Sequence, residues 1–108
     1  MKYDTIKLAA AIKKANEAAQ IHATEDDGGT CNFDSCYIPA PGIRGTQVRE
    51  IEAVSGVPLS LMSSGYCGRR IELGGTLGQG NRRTKMAEEQ RRSLEADGIK
   101  AGMFYIMD

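Results

Sequence analysis

The chain has 108 residues, and its 14 Lys and Arg residues balance 14 Asp and Glu residues to give a formal net charge of zero. This length predicts one small domain with a modest core, and the balanced charge argues against a protein that coats DNA or an anionic membrane. No apolar run approaches the roughly 20 residues that cross a bilayer, and the three cysteines form no closed disulfide set, so we expect a cytoplasmic protein.

The first third of the chain predicts a helix followed by a strand. Asp4 or Thr5 suits the cap of a helix in which apolar residues recur at steps of three and four. The acidic turn after Thr24 ends this helix. In residues 31–38 the side chains alternate between the two faces of an extended strand, and Pro39 ends that strand.

The middle of the chain predicts a short helix and a β-hairpin. Thr46 suits the cap of the helix, and Gly56 suits the position just past its last residue. Residues 57–62 and 67–73 have the composition of two strands joined by a tight turn.

The last third predicts a third helix with a well-marked end. Asn81 or Thr84 suits its cap, and the helix runs to the residue before Gly98. Leu94 and Ile99 form the apolar pair that accompanies a Schellman ending with Gly98 in the left-handed conformation.

The final stretch, residues 101–107, is apolar on both faces of an extended strand. This pattern predicts either an inner strand or a strand sealed by a partner subunit. The order of elements is helix, strand, helix, hairpin, helix and strand. It predicts a single small α+β domain over residues 1–108, with about three helices and an antiparallel or mixed sheet.

The segment GGTLGQGNRRTK, residues 74–85, is the strongest functional signal. It does not match the P-loop, which needs Lys-Ser or Lys-Thr after its last glycine, or the dinucleotide fingerprint, whose third glycine is replaced by Arg83. A glycine-rich segment that enters a helix still offers backbone amides and the positive end of the helix dipole to an anion. Arg82 and Arg83 oppose that dipole, so we interpret them as contacts to a bound phosphate. The alternative is an exposed turn with solvated arginines.

A second polar stretch, DDGGTCNFDS, precedes and enters the first strand. Its acidic residues do not have the spacing of an EF-hand calcium loop. Asn32 and Asp34 share one face of the strand, where they suit a base edge or a ribose hydroxyl. The alternative is a polar strand face beside a turn.

The sequence contains a possible zinc set of one histidine and three cysteines. Cys31 and Cys36 lie an odd number of positions apart, so they face opposite sides of a strand, which argues against a shared ion. We predict no metal site and no cofactor, although the set stays open: His22, Cys31, Cys36 and Cys67.

Catalytic residues are poorly represented. The only histidine, His22, lies on the apolar stripe of the first helix, and neither a Ser/His/Asp pattern nor an HExxH motif is present. A nucleophile formed by His22 with Cys31 or Cys67 is the remaining possibility, and nothing in the sequence places these residues together. We predict a binding protein rather than an enzyme.

Three stretches, DGGTCNFDS, GQGNRRTKMAE and the ending FYIMD, resemble the small phage-encoded Thoeris anti-defence proteins of the first described type. The resemblance covers roughly residues 26–108. Proteins of that family sequester the cyclic ADP-ribose signals made by bacterial TIR-domain proteins, and they do not cleave them.

The resemblance implies a homo-oligomer, up to a hexamer, with ligand pockets between protomers. In such pockets arginines clamp the phosphates, and an asparagine and an aromatic or apolar side chain contact the base. A separate site on the symmetry axis holds cyclic oligonucleotides. The candidate ligand-binding residues of this chain are Asn32, Arg44, Arg49, Arg69, Arg70, Asn81, Arg82 and Arg83.

From residues and resemblance together, we expect a protein of the host cytoplasm that sequesters a cyclic ADP-ribose isomer, or a cyclic di- or trinucleotide, without cleaving it. Three alternatives remain at this point: an enzyme that degrades such a nucleotide, a small inhibitor that binds a host protein through its arginines, and a weak RNA- or DNA-binding module.

Overall fold

The structure, a computed structural model, describes residues 3–22, 34–63, 65, 68–74 and 80–104, with side chains in the last range from residue 83 onward. No helix in these ranges is both long enough and apolar enough to span a bilayer. A single turn of 3-10 helix, Gln20–His22, follows the first α-helix. The elements are α1 (Thr5–Ala19), β1 (Ser35–Pro39), α2 (Gly45–Ser55), β2 (Leu59–Met62), β3 (Arg70–Leu73), α3 (Gly80–Ala96) and β4 (Gly102–Phe104).

The four strands form one antiparallel sheet in the order β2-β3-β1-β4. The register places Ile38 opposite Ile71 and Ile71 opposite Leu61, so apolar side chains form a row across one face of the sheet. The predicted α+β class with three helices is confirmed, and the sheet is antiparallel rather than mixed.

All three helices lie on this apolar face of the sheet. Ile12 of α1, Ile51 of α2 and Leu94 of α3 are fully buried in one cluster with Cys36 and Ile71 of the sheet. α1 contributes mostly alanines to the cluster, which lets it pack closely against α3. The domain therefore has two layers, and its opposite sheet face, which we call the helix-free face, has no described helix on it.

The helix ends agree with the sequence where local chemistry decides them. Asp4 caps α1 by accepting the Lys7 backbone N–H at 3.0 Å. Gly56 has φ 73° at the end of α2. Gly98 has φ 78°, and the backbone N–H of Ile99 donates to the Leu94 carbonyl at 3.0 Å, as a Schellman ending requires.

The predicted caps of the other two helices are wrong. α2 begins at Gly45, so Thr46 lies inside it, and the Gln47 side chain instead accepts the Arg44 backbone N–H at 3.1 Å. α3 begins at Gly80, so Asn81 and Thr84 also lie inside their helix. The Gln47 bond is local and is the N3 half of a capping box, whereas Arg83 and Thr84 at the start of α3 bond to the distant residue Asp34, which a cap motif does not encode.

The final strand β4 is an edge strand of the described sheet, so its prediction as an inner strand is wrong. A Cβ added at Gly102 would lie 2.7 Å from the Tyr37 ring of the neighbouring strand, so the aromatic ring covers the glycine. The alternative of a strand sealed by a partner subunit stays a prediction.

Candidate functional site at the amino end of α3

The sheet register brings several strand ends together beside the glycine-rich segment. Ser35 at the start of β1 lies opposite Phe104 at the end of β4. Gly74 follows β3 at the same end of the sheet and donates its backbone N–H to the Pro58 carbonyl at 2.8 Å. We call this the loop end, because the segment that leaves it enters α3 at Gly80.

Two side chains fix the first turn of α3 to the loop end, and both use Asp34. Arg83 donates from Nε to the Asp34 backbone carbonyl at 2.7 Å. The Thr84 hydroxyl donates to Asp34 Oδ2 at 2.7 Å. Asp34 is only 3% exposed, so these bonds lie in a largely water-free place where they are strong. The amino end of α3 is therefore held in a defined position relative to β1.

Contacts within the protein explain why two residues that the sequence analysis assigned to anion binding occupy their positions. Arg83 bonds to Asp34, so its place in the first turn does not by itself require a bound phosphate. A Cβ at Gly74 would lie 3.0 Å from the Pro58 carbonyl oxygen, so the close approach of the two backbones already favours a glycine there. Asp34, for which the sequence left open a base or ribose contact or a polar strand face, accepts from the Thr84 hydroxyl.

Three of the predicted ligand-binding residues have side chains that are not among those the structure describes. Asn32 and the segment 75–79 lie outside the described residues. Asn81 and Arg82 belong to the first turn of α3, but their side chains are not among those described. Their roles stay predictions.

Two predicted arginines lie at the end of the sheet opposite the loop end. Arg69 donates from Nε to the Ile43 carbonyl at 2.7 Å, next to Arg44. Five residues of β1 at about 3.4 Å each separate this end from Asp34, a distance of about 17 Å. Within one protomer these arginines and Arg83 therefore do not surround the same phosphate. Arg49 is exposed on α2.

Arg70 occupies a different setting, on the helix-free face. It is 3% exposed and donates from Nε to Glu72 Oε2 at 3.0 Å and from Nη1 to the Gly68 carbonyl at 3.0 Å. Its guanidinium carbon lies 5.2 Å from the centre of the Phe104 ring, within cation–π range. The guanidinium is therefore held by internal partners on the helix-free face.

In the part of the chain that the structure describes, no three His, Cys, Asp or Glu side chains lie close enough together to bind a zinc ion. Cys31 and Cys67 lie outside that part. Cys36 is fully buried in the core, and burial raises the pKa of its thiol from 9.0 to about 12. His22 lies 4.0 Å from Glu89.

The chain matches no protein-family model, curated protein or solved structure. Its resemblance to the Thoeris anti-defence proteins stays a prediction.

Sequence reasoning missed the residues that organise the site. Glu72 bonds Arg70 and also accepts from the Ser35 hydroxyl at 3.5 Å, so it links β3 to β1. Alternation along a strand places residues 70 and 72 on one face, and this signal was available. The bond between Asp34 and Thr84 had no such signal, because it joins residues 50 positions apart.

Proposed function

We propose that this protein binds a small anionic nucleotide signal of the cyclic ADP-ribose type, or a cyclic oligonucleotide, and holds it without cleaving it. The amino end of α3 receives the phosphates, and the protein acts in the cytoplasm by sequestering the signal. This is the function of the Thoeris anti-defence proteins that the sequence resembles.

One observation carries the proposal: the helix entered by the glycine-rich segment is anchored at its amino end to the sheet. Asp34 holds Arg83 and Thr84 there at 2.7 Å each. Backbone amides in the first helical turn bind anions best when they are fixed beforehand, because binding then costs little ordering. The sequence adds Arg82 to this turn.

The placement of the arginines favours a ligand shared between two protomers. Arg44 and Arg69 lie about 17 Å along the sheet from the loop end, which is too far for them to reach the phosphate at α3 of the same chain. A second protomer that presents its Arg44 and Arg69 to that phosphate would complete a charged enclosure. Pairing of two chains over one ligand also removes water and strengthens each charged hydrogen bond.

Recovery of the ligand tests the proposal against the enzyme alternative. Cyclic ADP-ribose isomers and cyclic di- and trinucleotides are incubated separately with the protein at equimolar ratio, and unbound ligand is removed by gel filtration. The protein is then denatured and the released molecule is identified by chromatography. We expect one of these compounds to co-elute with the protein and to be recovered intact. New products identify an enzyme, and no co-elution of any compound contradicts the proposal.

A further inference from the structure

The strand β4 lies at one edge of the sheet without the features that usually protect an edge strand. Its described residues, Gly102, Met103 and Phe104, include no charge and no proline, and they pair with β1 in a continuous register without a bulge. Charges, prolines and bulges are the means by which monomeric proteins keep such an edge from pairing with another chain. No described strand pairs with the outer side of β4. This edge is therefore suited to pairing with a further strand.

The helix layer places α3 above the same edge. α2 packs on β2, α3 packs on β1 and β4, and α1 lies between these two helices. α1 contacts one side of α3, where Gln90 Nε2 donates to Asn16 Oδ1 at 3.4 Å and Asp97 pairs with Lys14 at 3.1 Å. The opposite side of α3 therefore faces outward, above the edge strand β4.

This outward side of α3 carries an arginine and a glutamate one turn apart. Thr84 marks the side, because its hydroxyl bonds to Asp34 just before β1. Steps of 7 and 11 residues return to nearly the same direction around a helix, so Arg91 and Glu95 lie on the side of Thr84. Arg91 Nη1 pairs with Glu95 Oε1 at 2.9 Å, and the two side chains are 43% and 47% exposed. Both charges are therefore accessible to another molecule beside β4.

Arg91 and Glu95 lie level with Met103 of the edge strand. Cys36 is the partner of Met103 in the sheet. Burial raises the pKa of the Cys36 thiol to about 12, and the charges of Arg91 and Glu95 have smaller effects of opposite sign on it. Both charges thus lie near Cys36, and Leu94 between them belongs to the same core cluster as Met103. The midpoint between the two charges is therefore close to Met103 along the strand direction.

Antiparallel pairing of two β4 strands, about a two-fold axis beside Met103, would also bring two α3 helices together. Neighbouring strands lie about 4.8 Å apart, so a helix above β1 and β4 lies about 5 Å from an axis just outside β4. The two copies of α3 would then be about 10 Å apart, which is within the range for packed helices. The contact is isologous, since both chains contribute the same residues.

The charges of α3 are self-complementary in this arrangement. The two helices run in opposite directions, so Arg91 of one protomer faces the partner subunit's Glu95, and Glu95 faces the partner subunit's Arg91. Each arginine also keeps the glutamate of its own helix, so four charges alternate in sign around the axis. Exposed ion pairs add little affinity, but like charges at this place would oppose pairing, so the four charges determine the register.

We infer that a second copy of this chain pairs with β4, strand against antiparallel strand, and forms one continuous sheet across two chains with the two α3 helices packed together. The inference goes beyond the proposed function, because it assigns a surface to self-assembly and needs no bound nucleotide.

Charge reversal tests the inference by analytical ultracentrifugation without nucleotide, at micromolar concentration. We expect the parent protein to have the mass of two chains, or a multiple of it if dimers associate further. Arg91→Glu places four glutamates around the axis and Glu95→Arg places four arginines there, so each variant alone should have half the parent mass. An equimolar mixture of the two variants should recover the parent mass, because every cross-axis contact then joins an arginine to a glutamate.

Lys13→Glu is the control, since it makes the same change of charge at an exposed position of α1 and should keep the parent mass. Hydrogen exchange tests the strand contact separately. The backbone amides of residues 102–104 should exchange more slowly in the parent than in Arg91→Glu, because the outer amides of β4 are bonded only in the pair. Circular dichroism checks that each variant is folded.

Any of five results overturns the inference: a monomeric parent protein, the parent mass retained in both single variants, no recovery of mass on mixing them, a halved mass in Lys13→Glu, or equal exchange at residues 102–104. Nucleotide is absent throughout, so a failure here leaves the proposed function to be decided by its own experiment.

Discussion

Asp34 shows how one residue determines the geometry of the candidate site. Its carboxylate and its carbonyl both hold the first turn of α3, although the residue lies before β1 and far from α3 in sequence. It is a buried carboxylate whose oxygen loses a partner if the Thr84 hydroxyl is removed.

Thr84→Val should therefore destabilise the fold. Loss of the hydroxyl leaves the shape of the side chain nearly unchanged but removes one bond to Asp34, so we expect the free energy of unfolding to fall by about 1–3 kcal/mol in urea denaturation. Thr46→Val, at an exposed position of α2, is the control and should change it by less than about 0.5 kcal/mol. Equal stability of the two variants would contradict a role of Thr84 in anchoring α3.

The burial of Cys36 predicts an unreactive thiol and a loss of stability at alkaline pH. Burial raises the pKa of its thiol from 9.0 to about 12, with opposing smaller effects of Arg91 and Glu95. Below pH 9 both the folded and unfolded chains keep the proton. Between pH 9 and 12 only the unfolded thiol ionises, so this residue lowers stability as the pH rises through that window.

The measurement uses a variant in which Cys31 and Cys67 are replaced by alanine. We expect Ellman's reagent at pH 8 to leave Cys36 unmodified in the folded protein and to label it in urea, because the neutral, enclosed thiol is a poor nucleophile. Fast labelling without urea would show that Cys36 is not buried as the structure has it.

At the scale of elements, the sequence predicted most where the chemistry is local. The Schellman ending of α3 followed from Gly98 and its apolar neighbours, and the hydrogen bond from Ile99 to Leu94 confirms it. The start of α2 was misplaced because the local signal was the Gln47 side chain, which accepts the Arg44 backbone N–H as in a capping box, and not Thr46. The start of α3 was misplaced because Asp34 supplies its bonds from a distant part of the chain. Residue types that favour caps say little about bonds supplied from elsewhere in the chain.

Two glycine substitutions test this account of the helix ends. Gly98→Ala forces an L-residue into the left-handed conformation and should cost about 1–2 kcal/mol. Gly45→Ala places a methyl group in open space in the first turn of α2, where φ is not positive, and should raise stability by up to about 1 kcal/mol. Thermal or urea unfolding of both variants measures the difference. A Gly98→Ala protein as stable as the parent would contradict the assigned ending.

At the scale of the whole molecule, the α+β class followed from the order of elements, whereas the arrangement of the arginines did not. Strand register is a tertiary property. The antiparallel pairing of β1 with β3, together with the bonds of Arg69 to Ile43 and of Arg83 to Asp34, shows that the two arginines lie at opposite ends of the sheet. The sequence therefore indicated which residues are charged, but not which of them share a site.

A homo-oligomer is the expected state if two protomers complete each binding site. The edge strand β4 carries no charge in its described residues, and no described strand pairs with its outer side. Native mass spectrometry should show a dimer or a larger assembly, up to a hexamer, at micromolar concentration. A monomer at that concentration, both with and without added nucleotide, would contradict the two-protomer site.

The most direct test of the nucleotide site is calorimetric titration with the compound retained in the recovery experiment, comparing two arginines of α3. Arg82→Ala should weaken binding at least tenfold, since a charged contact to phosphate is worth about 1.5–3 kcal/mol. Arg92→Ala is the matched control, because Arg92 is 69% exposed and pairs with Glu89 on the same helix. Its affinity should equal that of the parent protein. Equal affinities of all three proteins would contradict phosphate binding at the amino end of α3.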